Sequence, residues 1–295
     1  MEGDDKMELW LLYATGAAVF AALTTILAKI GIKNVDSHLA TAIRTMVVVV
    51  FAWLMVFVVG SQGGIRYIDG ITWVFLVLSG LATGGSWLCF FRALQLGNVN
   101  KVVPIDKSST ILTMILAFII LSEPLGWLTI VGMVLMGIGT WLMLELKKDE
   151  SETPGKRSWL FYAVLAAVFA SLVAIFGRIG VAYMDANLWT AIRTMVVLPL
   201  SWLMVFMVGS QKTIRSVDNK SWVFLVLSGV ATGVSWLFFY HALKMGNASH
   251  VVPIDKLSIV LTMAFARLFL GERFSRRSII GLVLLTAGTL LPILL

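Results

Sequence analysis

The sequence predicts an all-α integral membrane protein of ten transmembrane helices, built as two five-helix repeats of inverted topology. Three observations predict it. The chain is 59% hydrophobic and only 13% charged, whereas a soluble domain is about half apolar and about a quarter charged. Its apolar residues collect into runs of about twenty, the length that crosses a hydrocarbon core as helix. The pattern of the first half then returns at a constant offset in the second, with the basic residues moved to opposite loops.

The runs fall at 9–31, 38–60, 72–95, 101–121, 125–146, 158–180, 187–209, 221–244, 250–270 and 276–295. None alternates as a membrane strand would, so each reads as a helix. The first follows the acidic octapeptide MEGDDKME and lacks a small-residue cleavage site, so it reads as a retained helix. Trp10, Trp73, Trp159 and Trp222 begin spans and read as interface anchors. The third and eighth spans, SGLATGGSWLCFFRAL and SGVATGVSWLFFYHAL, carry small residues with aromatics one turn apart. Ser79, Thr83 and Ser86 with Gly80 and Gly84 form a face that permits close helix packing. The fourth and ninth spans open on VVPIDKSS at 102–109 and VVPIDKLS at 251–258. Pro104 and Pro253 there fit the first turn of a helix, where a missing N–H costs nothing. Residues 146–158, LKKDESETPGKRS, are polar and contain Pro-Gly, so they read as a cytoplasmic linker between repeats at 1–145 and 159–295.

The repeat is exact in spacing. Pro253 against Pro104 gives 253 − 104 = 149, and the same offset aligns TAIRTMVV at 41–48 with 190–197 and WVFLVLSG at 73–80 with 222–229. From Trp10 and Trp159 onward it needs no gap, and more than half the positions match. Five spans are an odd number, so the second repeat enters the membrane upside down. The basic residues agree. Loops on the side of the first connection carry Lys29, Lys33, Arg92, Lys101, Lys147, Lys148, Lys156, Arg157, Lys212, Arg215, Lys220, Arg273, Arg276 and Arg277, against Lys6, Arg66, Arg178 and Lys244 opposite. By the positive-inside rule the richer side is cytoplasmic, which puts both termini of this multi-pass cell-membrane protein outside.

Inverted repeats are the architecture of secondary transporters, with a substrate site near the midplane. The segments VVPIDKSSTILTMILAFIILSEPL and VVPIDKLSIVLTMAFARLFLGERF, with the closing IVGMVLMGIGTWLM and IIGLVLLTAGTLL, resemble the EamA-type branch of the drug/metabolite transporter superfamily. Glu123 and Glu272 match that family's turn after the fourth span, and Gly132, Gly139, Gly281 and Gly288 its glycine-spaced fifth span. The resemblance covers nearly the whole chain and implies a carrier of small organic solutes.

Charges inside spans single out further residues. Arg44 and Asp106 lie at similar depth from the cytoplasmic side, and Arg193 and Asp255 at similar depth from the outer side. An unpaired charge at such depth costs several kcal/mol, so pairing is expected. Arg44, Asp106 and Lys107, with Arg193, Asp255 and Lys256, are therefore candidate gate or pathway charges. Static contacts between helices, or snorkelling to headgroups, are the alternative reading. Ser86, Trp87 and Phe91, with Ser235, Trp236 and Tyr240, are candidates for an aromatic-walled substrate cavity, against ordinary helix packing. Glu123 and Glu272 sit at turns and suit helix capping; Asp106 and Asp255 are the better candidates for carrying a proton.

The functional expectation is a secondary active transporter of a small organic solute, an amino acid or other metabolite, with export among its directions. It works by alternating access, with protons as a candidate coupling ion and the lipid bilayer as solvent. A channel and an intramembrane enzyme are the competing classes. Neither a ring of like charges nor a His–Glu or Ser–His arrangement is present, and Cys89 is the single cysteine. No cofactor, metal site, ATP-binding loop or nucleic-acid partner is expected. The carrier could act as a monomer or a homodimer.

Overall fold

The structure is a computed structural model, and it describes residues 2–122, 125–143, 158–181, 184–245, 251, 254–255 and 257–291. Among them are the helices α1 (Glu2–Gly31), α2 (Ser37–Val59), α3 (Gly70–Leu96), α4 (Val99–Lys107), α5 (Ser109–Leu121), α6 (Trp127–Met143), α7 (Ser158–Val181), α8 (Ala186–Val208), α9 (Asn219–Met245), α10 (Ser258–Leu270) and α11 (Arg276–Leu290). The linker at 146–158 lies outside the described residues except for Ser158. Among the described residues, seven segments are long and apolar enough to cross a membrane, with α4 and α5 together forming one, while α6 and α10 are shorter apolar helices. Val50, Leu54, Phe57 and Val58 of α2 are exposed, as are Leu203, Phe206 and Met207 of α8. A soluble protein would pay for such a belt in water, whereas lipid is as apolar as the side chains.

The duplication is repeated in local geometry. Asp36 and Asp185 cap α2 and α8 by accepting from two backbone N–H groups each. Both helices end on a left-handed glycine, Gly60 at φ 77° and Gly209 at φ 80°, followed by a 3₁₀ turn. Glycine takes this conformation without the steric cost a Cβ would bring.

The repeats interlock. α1 packs along α9 and α3 along α7, while α2 meets α8 and α6 meets α11, so each helix of one repeat finds its partner in the other. This pattern of helix contacts is like that of an inverted repeat. Ser86 donates to the Ala166 carbonyl at 3.1 Å, and its equivalent Ser235 donates to the Ala17 carbonyl at 2.9 Å. Where α6 crosses α11, a Cβ on Gly139 would stand 2.6 Å from the Gly281 carbonyl oxygen, and one on Gly288 2.5 Å from that of Gly132. The fifth-span glycines therefore bring the two backbones into contact, the small-residue route to helix association in lipid.

Two expectations are corrected. Pro104 is the sixth residue of α4, not part of its first turn. Its missing N–H leaves the Asn100 carbonyl without a helical donor, and the helix stops four residues later. At Ser108 the backbone tightens: its N–H donates to Pro104 at 2.9 Å and Ile105 at 3.1 Å, and its hydroxyl donates to Ile105 at 2.7 Å, before α5 resumes. The equivalent Leu257 makes the same kind of turn, donating to Ile254 at 3.0 Å. Pro253 lies outside the described residues. Trp159 is buried rather than an interface anchor, because the start of α7 lies against the α3–α4 junction, with its indole beside Gly97.

Candidate functional site

Two buried arginines lie where helices of the two repeats meet. α8 rests on α3 at Gly80, where a Cβ would stand 2.6 Å from Val196 and 3.0 Å from the Arg193 carbonyl. The equivalent seat carries α2 on α9 at Gly229, with Val47 at 2.7 Å and the Arg44 carbonyl at 3.1 Å. The sequence predicts these small-residue faces, and the structure uses them to bring both arginines to the interface between the repeats.

From equivalent seats the two side chains part. Arg44 donates from Nε to Ser228 Oγ at 2.9 Å and from Nη2 to Thr232 Oγ1 at 2.9 Å, both on α9. Its guanidinium lies 3.9 Å from the centre of the Phe91 ring. The hydroxyls are themselves anchored, since Ser228 donates to the Thr24 carbonyl at 2.8 Å and Thr232 to Ser228 at 2.8 Å. Arg193 is 0% exposed, and none of its three guanidinium nitrogens has a hydrogen-bond partner. Its guanidinium lies over Trp236, 3.5 Å from the ring centre, with the Tyr240 ring at 5.3 Å. The Tyr240 hydroxyl oxygen faces the guanidinium as a weak acceptor, outside full hydrogen-bond geometry. By the 149-residue offset, Arg193 would mirror Arg44 by bonding Ser79 and Thr83. Ser79 Oγ is instead buried without a partner.

The aromatic candidates meet at this interface. Trp87 and Trp236, equivalent residues, touch edge to face with ring centres 6.1 Å apart. Phe91 and Tyr240 are both buried, one under each arginine. Ser86 and Ser235 are turned to the neighbouring helices α7 and α1 by the bonds described above. The depth-matched partners do not come together: the hydrogen-bond partners of Arg44 are Ser228 and Thr232, not Asp106. Asp106 and Lys107 end α4 half-buried, directly before the break at Ser108. Asp255 is half-buried and within electrostatic range of Tyr240, and Lys256 lies outside the described residues.

A second polar cluster lies at the end of the molecule on which α2 begins. Glu272, in the turn between α10 and α11, accepts from the backbone N–H of Val99 through one carboxylate oxygen and of Asn100 through the other, each at 3.1 Å. A carboxylate from one repeat thus caps α4 of the other, where the helix dipole favours negative charge. Lys29 of α1 donates to the carbonyls of Leu94 at 2.5 Å and Gly97 at 2.7 Å, closing the C-terminal end of α3. Ser210 donates to Asp36 at 2.8 Å, joining connections of the two repeats at the same end. Glu272 fulfils the capping role its turn position suggests, while Glu123 lies outside the described residues. The sequence reading missed the Ser228 and Thr232 latch. Its signal was present as two hydroxyls four residues apart on one face of span 8, at the depth of Arg44.

A family model described as the EamA-like transporter family matches this chain twice, over residues 8–145 and 157–294. An uncharacterised transporter of a Sinorhizobium species is 43% identical over 135 residues, which are 96% of that protein and 46% of this chain. An uncharacterised transporter of Archaeoglobus fulgidus is 25% identical over 288 residues, 98% of its length and 97% of this one. A solved crystal structure superposes with a TM-score of 0.72 at 16% identity, covering 95% of this chain and 96% of its own.

Proposed function

The chain belongs to the EamA-like transporter family, and from that premise we propose a secondary active transporter that moves a small organic solute by alternating access. Ten spans in two inverted five-helix repeats, with both termini outside the cell, form its frame. The observation that carries the reading is the unequal state of two equivalent arginines. Arg44 is tied to the opposite repeat by hydroxyls, whereas Arg193, on a matching backbone seat, is not.

An inverted-repeat carrier changes sides when its repeats exchange conformations. In the exchanged state Arg193 takes Ser79 and Thr83, and Arg44 slides onto Trp87. The two hydroxyl bonds to a guanidinium are conserved in the exchange. The two states therefore stay within a few kcal/mol, the range in which a ligand can shift the balance. The helix breaks at Ser108 and Leu257 support the same reading, since discontinuous helices at mid-depth are where such carriers build their sites. Asp106 and Asp255, beside those breaks, are the groups through which a proton could be coupled.

The test is flux in proteoliposomes with counterflow, with and without a pH gradient. Saturable flux accelerated by substrate on the far side is expected of the carrier. Large, unsaturable single-channel currents would instead establish a channel. Single cysteines in the Lys33 and Arg66 loops, on a Cys89→Ala background, should label from opposite faces. Labelling from one face would defeat the topology.

A further inference from the structure

Arg193 poses a question that latching alone does not answer. A buried cation far from water needs a counter-charge or hydrogen-bond acceptors. Arg44 has two acceptors. Arg193 has only the Tyr240 hydroxyl oxygen, which it shares with the Trp189 indole N–H one helical turn earlier on α8, and neither contact reaches full hydrogen-bond geometry. With its oxygen facing two donors, the Tyr240 hydroxyl keeps its own proton to donate. Beneath the guanidinium is the face of Trp236, a contact that satisfies none of its N–H groups.

A cluster of donors with one positive charge, backed by aromatic rings, is complementary to a planar acceptor carrying one negative charge. Guanidinium and carboxylate match in bidentate geometry. A phosphate dianion would leave a net negative charge in the same buried space, and a cation would face only donors. Building on the transporter reading, we propose that Arg193 binds the carboxylate of a small monoanionic or zwitterionic solute, with Trp236 and Tyr240 against its apolar part. The carboxylate and the Ser79–Thr83 hydroxyls then compete for one guanidinium. Substrate held at Arg193 therefore favours the conformation in which Arg44 is latched. By the repeat symmetry, Arg44 receives the same group once the repeats have exchanged.

The experiment is a thermal-shift and tryptophan-fluorescence titration of the purified full chain with acetate, 2-methylbutyrate, phenylacetate, leucine and phenylalanine. The controls are phenylacetamide, phenethylamine and inorganic phosphate. At least one carboxylate should bind saturably, while the amide, the amine and phosphate do not. Arg193→Gln should weaken that binding about a hundredfold, the usual consequence of removing one partner of a buried charge pair. If Arg193→Gln does not fold, Tyr240→Phe serves instead and should weaken binding about fivefold, while Ser79→Ala, which removes a competing acceptor, should tighten it. Binding by none of the carboxylates, equal binding of acid and amide, or no loss in either variant overturns the site. Carboxylate binding without flux refutes the carrier reading and leaves the site standing. Flux of a neutral or cationic solute that survives Arg193→Gln refutes the site and leaves the carrier.

Discussion

Arg44 and Arg193 occupy equivalent positions, are equally buried and rest on equivalent glycines, yet one is bonded across the repeat interface and the other is not. Their sequence surroundings are nearly the same, TAIRTMVV in both. The contrast therefore does not come from the arginines' own helices. It comes from the helices packed around each of them. At Arg44 the opposite repeat supplies Ser228 and Thr232, and Thr24 on α1 of its own repeat stands behind them. At Arg193 the same positions hold Ser79 and Thr83, but Val173 stands where Thr24 would be. A near-symmetric sequence can thus rest in an asymmetric structure, and a few side chains decide which end is tied.

Removing the latch is the largest way to break this comparison. Ser228→Ala with Thr232→Val deletes two hydrogen bonds to a charged group, each contributing about 1.5–3 kcal/mol, and leaves Arg44 without acceptors. The melting temperature should fall, and cysteines at the Lys29–Glu272 end should become more reactive. The mirror variant, Ser79→Ala with Thr83→Val, should be close to neutral in this conformation. Ser79 Oγ has no partner to lose, and Thr83 bonds only the Ser79 carbonyl of its own helix. Equal losses from the two double variants would mean that the asymmetry is not a property of the protein in solution.

Next comes Glu272. Its carboxylate supplies both acceptors at the start of α4, and capping residues contribute about 0.5–2 kcal/mol. Glu272→Ala should accelerate amide exchange at Val99 and Asn100 and should also promote opening at that end. Glu272→Gln, which keeps one acceptor, should lose less. Unchanged exchange at both amides in the alanine variant would refute the cap. A smaller loss, about 0.3–1 kcal/mol, is expected of Lys29→Met, which removes a cation from the carbonyl end of α3.

What could be read from the sequence follows from the range of the physics involved. Apolar run length and the 149-residue offset are properties of whole segments, and they gave the membrane class and the internal duplication; the family came from the likeness of the motif segments. The arginines, the small-residue faces and the aromatic pair Trp87 and Trp236 were also legible, because each stands out from an apolar background. Partner choice was not. Depth alone put Arg44 opposite Asp106, but depth does not specify the direction a side chain takes around its helix. That direction was set by α9, a helix of the other repeat nearly two hundred residues away in sequence. Pro104 was misplaced for a similar reason. The fourth span begins at Val99, where Glu272 caps it, so the proline falls one turn deeper than its motif suggests.

A comparably small effect tests the origin of the asymmetry. Thr24 is the residue behind the latch: its carbonyl accepts from Ser228 at 2.8 Å, and its hydroxyl contacts that of Thr232 at a long 3.3 Å. Any residue supplies the carbonyl, so Thr24→Val removes only the second, weaker contact. Such a bond between neutral groups contributes about 0.5–1 kcal/mol, which corresponds to a shift of about two- to fivefold in a two-state population. The converse change, Val173→Thr, places a hydroxyl behind Thr83, where the exchanged state would use it. Each single change should move cysteine reactivity from the Arg44 end toward its opening by a few-fold, and the double exchange should move it further. The two end reactivities in the double variant would then approach a reversal of their original order. If Val173→Thr leaves the balance where it was, the bias lies elsewhere, in the Glu272 cap or the Lys29 contact. Those contacts act at the same end without touching either arginine.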